Sequence, residues 1–171
     1  MLFRSGWLHT GEQARIENNH IYITGRIKDI LVLSNGEKAP PGDMEMAIAL
    51  DPLFEQVIVV GEGQPFLTAL VVLDGDFWPG LAQDCGVDPM DPGSLRSAKV
   101  IGVVTSRIKA ALKDFPGYAK VRKVTLFLEP WTIDNGLLTP TLKVKRPRVI
   151  DRFREEVDQM YSVGPAAGDR R

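Results

Sequence analysis

Apolar positions along this chain fall into short runs separated by glycine, proline and asparagine. Ala14 to Ile16 and Ile21 to Thr24 flank the Asn18-Asn19 pair, which predicts a short hairpin. Ile30 to Leu33 is another β-forming run, closed by Ser34-Asn35-Gly36 with its tight-turn dipeptide Asn-Gly. Pro40-Pro41-Gly42-Asp43 reads as a helix start, with Met44, Ile48 and Leu50 near helical spacing and Asp51-Pro52 as the stop. Phe54 to Val60 and Phe66 to Leu73 are apolar nearly throughout, which predicts two strands buried on both faces around the Gly61-Glu62-Gly63 turn.

A short helix is expected over Phe77 to Gln83, followed by a loop from Cys85 to Gly93. Ser94 to Phe115 then carries an apolar stripe at Leu95, Val100, Val103, Val104, Ile108, Ala111 and Leu112, stopped by Pro116-Gly117. Val121 to Leu128 predicts a third core strand. Glu129 to Thr141 predicts a loop, and Pro147 to Met160 a closing helix turning Val149, Ile150, Phe153, Val157 and Tyr161 inward. Residues 163–171 read as a disordered tail. The expected fold is therefore α+β: about three strands covered by helices, preceded by a hairpin-like piece.

Composition narrows the chemistry. With 171 residues, net charge −1 and a hydrophobic share of 44%, the chain suits one domain, or a small domain plus a piece of another. Near-neutral charge argues against wholesale nucleic-acid binding, so any anion site is local. Cys85 is the only cysteine, which excludes an intramolecular disulfide and makes the cytoplasm the default compartment. No apolar run approaches a membrane span, although this leaves peripheral membrane contact open. With two histidines, one cysteine and no ligand-spaced cluster, no metal site is expected from these residues.

Several short stretches have two readings each. Glu12 after Thr10-Gly11 is either a polar turn or a carboxylate placed to accept hydrogen bonds from a vicinal diol. Arg26 after Gly25 is a surface turn or a planar donor for phosphate and hydroxyl oxygens. Gly36 is a hairpin tip or a glycine that lets a ligand pass close to the backbone. Lys143 belongs to a basic run with Lys145, Arg146 and Arg148. That run is a solvated face, or it delivers one compact charge to an anion.

The order of these stretches is more specific than any of them. GWLHTGE, then ITGRIKDILVLSNGEKAPP with MEMAI behind it, then LTPTLKVKR near the end, resemble the AMP-forming acyl-CoA synthetases of the adenylate-forming superfamily. The wording of GWLHTG, GRIKD and SNGEK is most similar to the long-chain fatty-acid ligases. The resemblance implies that residues 1–27 end the large adenylate-binding domain and that 28–162 form its small mobile C-terminal domain. It implies ribose binding by Glu12, where the family usually has Asp, and ribose or phosphate contact by Arg26. It further implies a hinge at Lys28, a coenzyme A passage beside Gly36, and catalysis by Lys143 between substrate carboxylate and α-phosphate. The family often has Gly before that lysine, where this chain has Leu142.

ATP (giving AMP) and coenzyme A would be substrates of the full enzyme with a fatty acid, and Mg2+ would be held only by the large domain. The phosphate loop, acyl pocket and magnesium-binding glutamate of the family are not found in this sequence. The chain is therefore expected to be the C-terminal part of a ligase and inactive alone, with the N-terminal large domain as its partner. A second reading is a non-catalytic, stand-alone interaction or regulatory domain that binds a separate large domain or an acyl carrier. A third is an anion-binding protein that uses its basic cluster.

Overall fold

The computed structural model describes residues 3–4, 7–8, 10–26 and 30–162 of the chain. Short strands β1 (Phe3–Arg4) and β2 (Trp7–Leu8) pair with each other. The hairpin read from the asparagine pair follows as β3 (Glu12–Glu17) and β4 (His20–Arg26), turning through Asn18 and Asn19 at positive φ. Asparagine tolerates that left-handed region better than most residues. A second, tighter hairpin is built from β5 (Leu31–Val32) and β6 (Lys38–Ala39). The expected tail, residues 163–171, lies outside the described residues.

Three strands make the main sheet: β7 (Phe54–Val60), β8 (Leu67–Leu73) and β9 (Val121–Phe127), in the order β7-β8-β9. β7 and β8 are antiparallel, while β8 and β9 are parallel, joined by a crossover through helices. Every residue of β8 is buried. Alternate side chains go to opposite faces: Leu67, Ala69, Val71 and Leu73 to one core, Leu70 and Val72 to the other. The unbroken apolar runs are thus the signature of a sheet covered twice.

On the first face lie α1 (Pro41–Ile48), α2 (Trp78–Cys85) and α3 (Ala98–Ala111), packing Met44, Ile48, Trp78, Val100, Val104 and Ile108. On the second face lie the Glu129–Lys145 connection and two short helices, α4 (Arg146–Arg152) and α5 (Arg154–Ser162). Trp131, Leu137, Leu138, Val149, Val157 and Met160 form that core.

The structure corrects several expectations. The long helix over Ser94 to Phe115 is a 3-10 turn (Pro92–Arg96), an extended Ser97, and then α3. Ser94 is buried and donates its hydroxyl to the Asp88 carbonyl at 2.6 Å, tying the chain to the preceding loop instead of to a helical turn. Val103 on the apolar stripe is 38% exposed, and Leu50 lies past the end of α1, 83% exposed. The closing helix is broken at Phe153, whose ring stacks tilted on Phe127 of β9 at 4.4 Å between centroids. That break lets α4 bury Val149, and α5 bury Val157 and Met160, against the same sheet face.

Candidate functional site

Lys143, which the sequence resemblance marks as the expected catalytic residue, stands on a hairpin that sequence patterning did not show. Leu138 and Val144 form an antiparallel bridge, and between them the chain turns within five residues, Thr139 to Lys143. The Thr139 N–H donates to the Lys143 carbonyl at 2.8 Å, and the Leu142 N–H donates to the Thr139 carbonyl at 2.9 Å. Pro140 occupies the second turn position, where its fixed φ suits a β-turn. Thr139 Oγ1 accepts the Lys143 N–H at 3.0 Å, so the hydroxyl before the lysine is a turn brace. Leu142 has φ +60, the left-handed conformation in which glycine is at ease.

The same plan recurs at the other candidate hairpin. There the Leu33 N–H donates to the Glu37 carbonyl at 2.9 Å and the Gly36 N–H to the Leu33 carbonyl at 2.8 Å. Asn35 Oδ1 accepts the Glu37 N–H at 3.1 Å. Gly36 has φ +86, and a Cβ added to it would meet nothing within 4 Å. Gly36 and Leu142 are therefore the equivalent left-handed fourth residues of two similar turns, one closed by glycine and one by leucine. The departure at Leu142 leaves the turn's backbone plan in place.

Lys143 is exposed, and no hydrogen bond or ion pair among the described residues engages its ammonium group. Its hairpin is nevertheless firmly seated. Leu137 and Leu138 are buried beneath it, and the Lys145 N–H donates to the Leu137 carbonyl at 2.8 Å. Arg146, three residues beyond Lys143, turns back to Glu45 on α1, at 2.5 and 2.7 Å from its two carboxylate oxygens. An apolar depression lined by Met46, Gln56, Trp131, Leu142 and Val144 lies beside the hairpin.

The two hairpins are not brought to one place. Leu31, Leu33 and Ala39 of the Gly36 hairpin belong to the first core, and Leu137 and Leu138 of the Lys143 hairpin to the second, across the sheet. The Gly36 hairpin is stapled to the β7–β8 turn: Ser34 N–H donates to the Gln64 carbonyl, Gly63 N–H to the Val32 carbonyl, and Val32 N–H to Glu62. Glu12 and Arg26 are opposite one another in the β3–β4 register, at the open end of that hairpin. Glu12 is exposed, and its N–H donates to Thr10 Oγ1 at 3.3 Å. Lys28 lies outside the described residues.

Sequence reading missed Glu45 and Gln56. Gln56 presents its side-chain amide to the Trp131 backbone, donating to its carbonyl at 2.9 Å and accepting its N–H at 2.6 Å. Glu45 and Arg146 are 101 positions apart, Gln56 and Trp131 75, so no local signal pairs them. Arg146 was legible only as part of a basic run at a helix start; its guanidinium is committed to Glu45 and to the Val59 carbonyl at 2.7 Å. Among the described residues no group of three or more His, Cys, Asp or Glu side chains is gathered to hold a metal, and no helix is long and apolar enough to cross a membrane.

Comparison with known proteins agrees with the fold. The chloroplastic long-chain-fatty-acid–[acyl-carrier-protein] ligase of Arabidopsis thaliana is 32% identical over 173 residues, covering 95% of this chain and 22% of that protein. Human long-chain-fatty-acid–CoA ligase 1 is 35% identical over 165 residues, covering 94% of this chain and 24% of that one. The chain thus spans about a quarter of the length of such relatives. The A domain of a carboxylic acid reductase from Segniliparus rugosus, solved with AMP and a carboxylic acid, shares the fold. Its TM-score is 0.77 at 23% identity, covering 94% of this chain and 24% of that one. The profile of the AMP-binding enzyme C-terminal domain matches residues 28–164. This chain belongs to the family of AMP-binding enzyme C-terminal domains.

Proposed function

We propose that this chain is the lysine-bearing C-terminal part of an AMP-forming ligase that activates a long-chain fatty acid as its acyl-adenylate and passes it to coenzyme A. Residues 1–27 end the adenylate-binding domain in this reading, and the unit from 28 to 162 moves against it about Lys28. The observation that carries the proposal is the Lys143 hairpin: an exposed ammonium group without a hydrogen-bond or ion-pair partner among the described residues, on a turn fixed at both ends. Adenylation drives a carboxylate against an α-phosphate, and both are anions. A lysine between them offsets their repulsion and stabilises charge gathering on the phosphoryl oxygens. Glu12 and Arg26, opposite in register, would together engage the ribose and phosphate oxygens of the nucleotide.

Thioester formation needs the same cleft open to a thiol. The Gly36 turn packs across the sheet from Lys143, which supports its use in the second step rather than the first. A rotation of the small domain exchanges one hairpin for the other at a single cleft. The absence of a Cβ at Gly36 would leave the turn clear for the pantetheine arm. Magnesium would be held by the large domain, and no step is assigned to it here.

The test separates the half-reactions in the enzyme in which this chain is joined to its adenylate-binding domain. Lys143→Ala is expected to slow ATP-dependent adenylation by about 100- to 1,000-fold, the usual loss on removing one preorganised charge donor. Thioester formation from supplied acyl-adenylate should change by less than about threefold. Equal loss in both half-reactions would overturn the assignment. The 171-residue chain alone is expected to form no thioester.

A further inference from the structure

We infer that Glu45 and Gln56 are positioning residues for Lys143: they lock the Glu129–Lys145 connection to the sheet and so fix where the lysine backbone starts. This inference rests on the reading of Lys143 given above. Among the described residues no hydrogen bond or ion pair orients the Lys143 ammonium group, so it is aimed by the hairpin backbone. That hairpin belongs to a long connection whose one ladder contact among the described residues is the Leu138–Val144 bridge. A connection of this length without regular structure is ordinarily free to move. Beyond the buried Leu137 and Leu138, two side-chain clamps hold this one to the sheet.

The first clamp uses the open edge of the sheet. Among the described residues β7 pairs only with β8, so its outer edge presents backbone groups outside the strand ladder. At Val59 both are taken by side chains. Glu45 Oε1 accepts the Val59 N–H at 2.7 Å, and Arg146 Nη1 donates to the Val59 carbonyl at 2.7 Å. Arg146 and Glu45 then close on each other, with side chains only 25% and 17% exposed. The pair substitutes for a neighbouring strand, and it fixes the residue three beyond Lys143. The planar guanidinium places one nitrogen on the carbonyl and the other on both carboxylate oxygens, a rigid fork that a compact ammonium group does not reproduce.

The second clamp is Gln56. The β7–β8 register shifts between Phe54 and Gln56. The Gln56 amide makes both hydrogen bonds of a strand neighbour to Trp131, whose indole is 1% exposed in the second core. The connection is thereby fixed at its beginning by Gln56 and at its end by Glu45, on either side of Lys143.

Hydrogen exchange on the 171-residue chain provides the first readout. In Glu45→Ala and in Gln56→Ala, the amides of Thr139, Lys143 and Lys145 should exchange about tenfold faster or more, with those of Leu70 and Val71 unchanged. In the enzyme carrying the chain with its large domain, each change should lower the adenylation kcat about 10- to 100-fold, as expected for a catalytic group misplaced by an ångström. KM for ATP and fatty acid, and thioester formation from supplied acyl-adenylate, should stay within about twofold. Arg146→Lys should reproduce the loss. Glu45→Gln, which retains the acceptor for Val59, should recover most of the activity, and Gln56→Ala carries the test if Glu45→Ala does not fold.

Unchanged loop exchange, or equal acceleration throughout the domain, would overturn the inference. Faster loop exchange without loss of adenylation overturns the positioning role. If Lys143→Ala also leaves adenylation intact, it is the reading of Lys143 that has failed, because the clamps are then measured directly and found to hold a hairpin without that task.

Discussion

Leu142 offers a test of the Lys143 hairpin that needs no activity. A leucine at φ +60 carries the left-handed penalty, about 1–2 kcal/mol for an L-residue relative to glycine. Its side chain is 69% exposed, so about a third is covered, worth about 0.5–1 kcal/mol of the roughly 1.5–3 kcal/mol of a fully buried leucine. Leu142→Ala loses that cover and keeps the penalty, and should cost about 0.5–1 kcal/mol. Leu142→Gly loses the same cover and relieves the penalty. It also gives the unfolded chain about 0.4–1 kcal/mol of extra conformational freedom.

Glycine should therefore beat alanine at position 142 by about 0.5–1 kcal/mol, and Leu142→Gly should lie near the stability of the parent chain. The informative quantity is the sign. At Ser106, exposed in the middle of α3, alanine should beat glycine by about 1 kcal/mol. Urea denaturation of the four variants, extrapolated linearly, measures both differences in one protein. Alanine equal to or better than glycine at 142 would refute the left-handed turn, and with it the likeness between the Leu142 and Gly36 hairpins.

Two further predictions concern the body of the domain. Tyr161 brings its hydroxyl to within 3.0 Å of Thr68 Oγ1 and also hydrogen-bonds the Val60 carbonyl at 3.1 Å, and Thr68 is fully buried. Tyr161→Phe should cost about 1–2 kcal/mol by leaving the threonine hydroxyl unmatched, and adding Thr68→Val should recover part of that loss in a double-mutant cycle. Burial raises the Tyr161 hydroxyl pKa, with the Thr68 hydrogen bond acting against it. Its stabilising share is complete below the free tyrosine value of about 10 and should fade as pH rises past it. Arg107 grips Asp51 with two hydrogen bonds, at 2.6 and 2.7 Å. The hydrogen bond from Arg107, against some desolvation, holds the Asp51 carboxyl below the usual carboxylate range. The native state therefore favours the ionised form. The difference in unfolding stability between the parent and Arg107→Ala, about 0.5–1 kcal/mol near neutral pH, should shrink as pH falls below about 4. A difference constant from pH 7 to 3 would contradict the ion pair.

Local sequence determined much of this protein. The continuous apolar runs of β7 and β8 required a sheet covered on both faces, because alternate residues of each strand point to opposite sides. Asn18-Asn19 and Asn35-Gly36 placed turns at residues that tolerate left-handed backbone. The spacing of Met44 and Ile48 set the buried face of α1. The order of short motifs identifies the family, because each motif is tied to one position along the chain. Tertiary structure decided what depends on partners far apart in sequence. The break at Phe153 follows from the ring of Phe127, and the interruption before α3 from the Ser94 hydroxyl's attachment to Asp88. Leu142 has no turn-forming signature of its own; it is held left-handed by hydrogen bonds local to Thr139–Lys143, over a seat of buried Leu137 and Leu138 that only the fold supplies. Glu45 reads in sequence as one more polar residue on a surface helix. It becomes a support of the Lys143 hairpin only because the outer edge of β7 leaves the Val59 N–H open and Arg146 arrives beside it from 101 positions away.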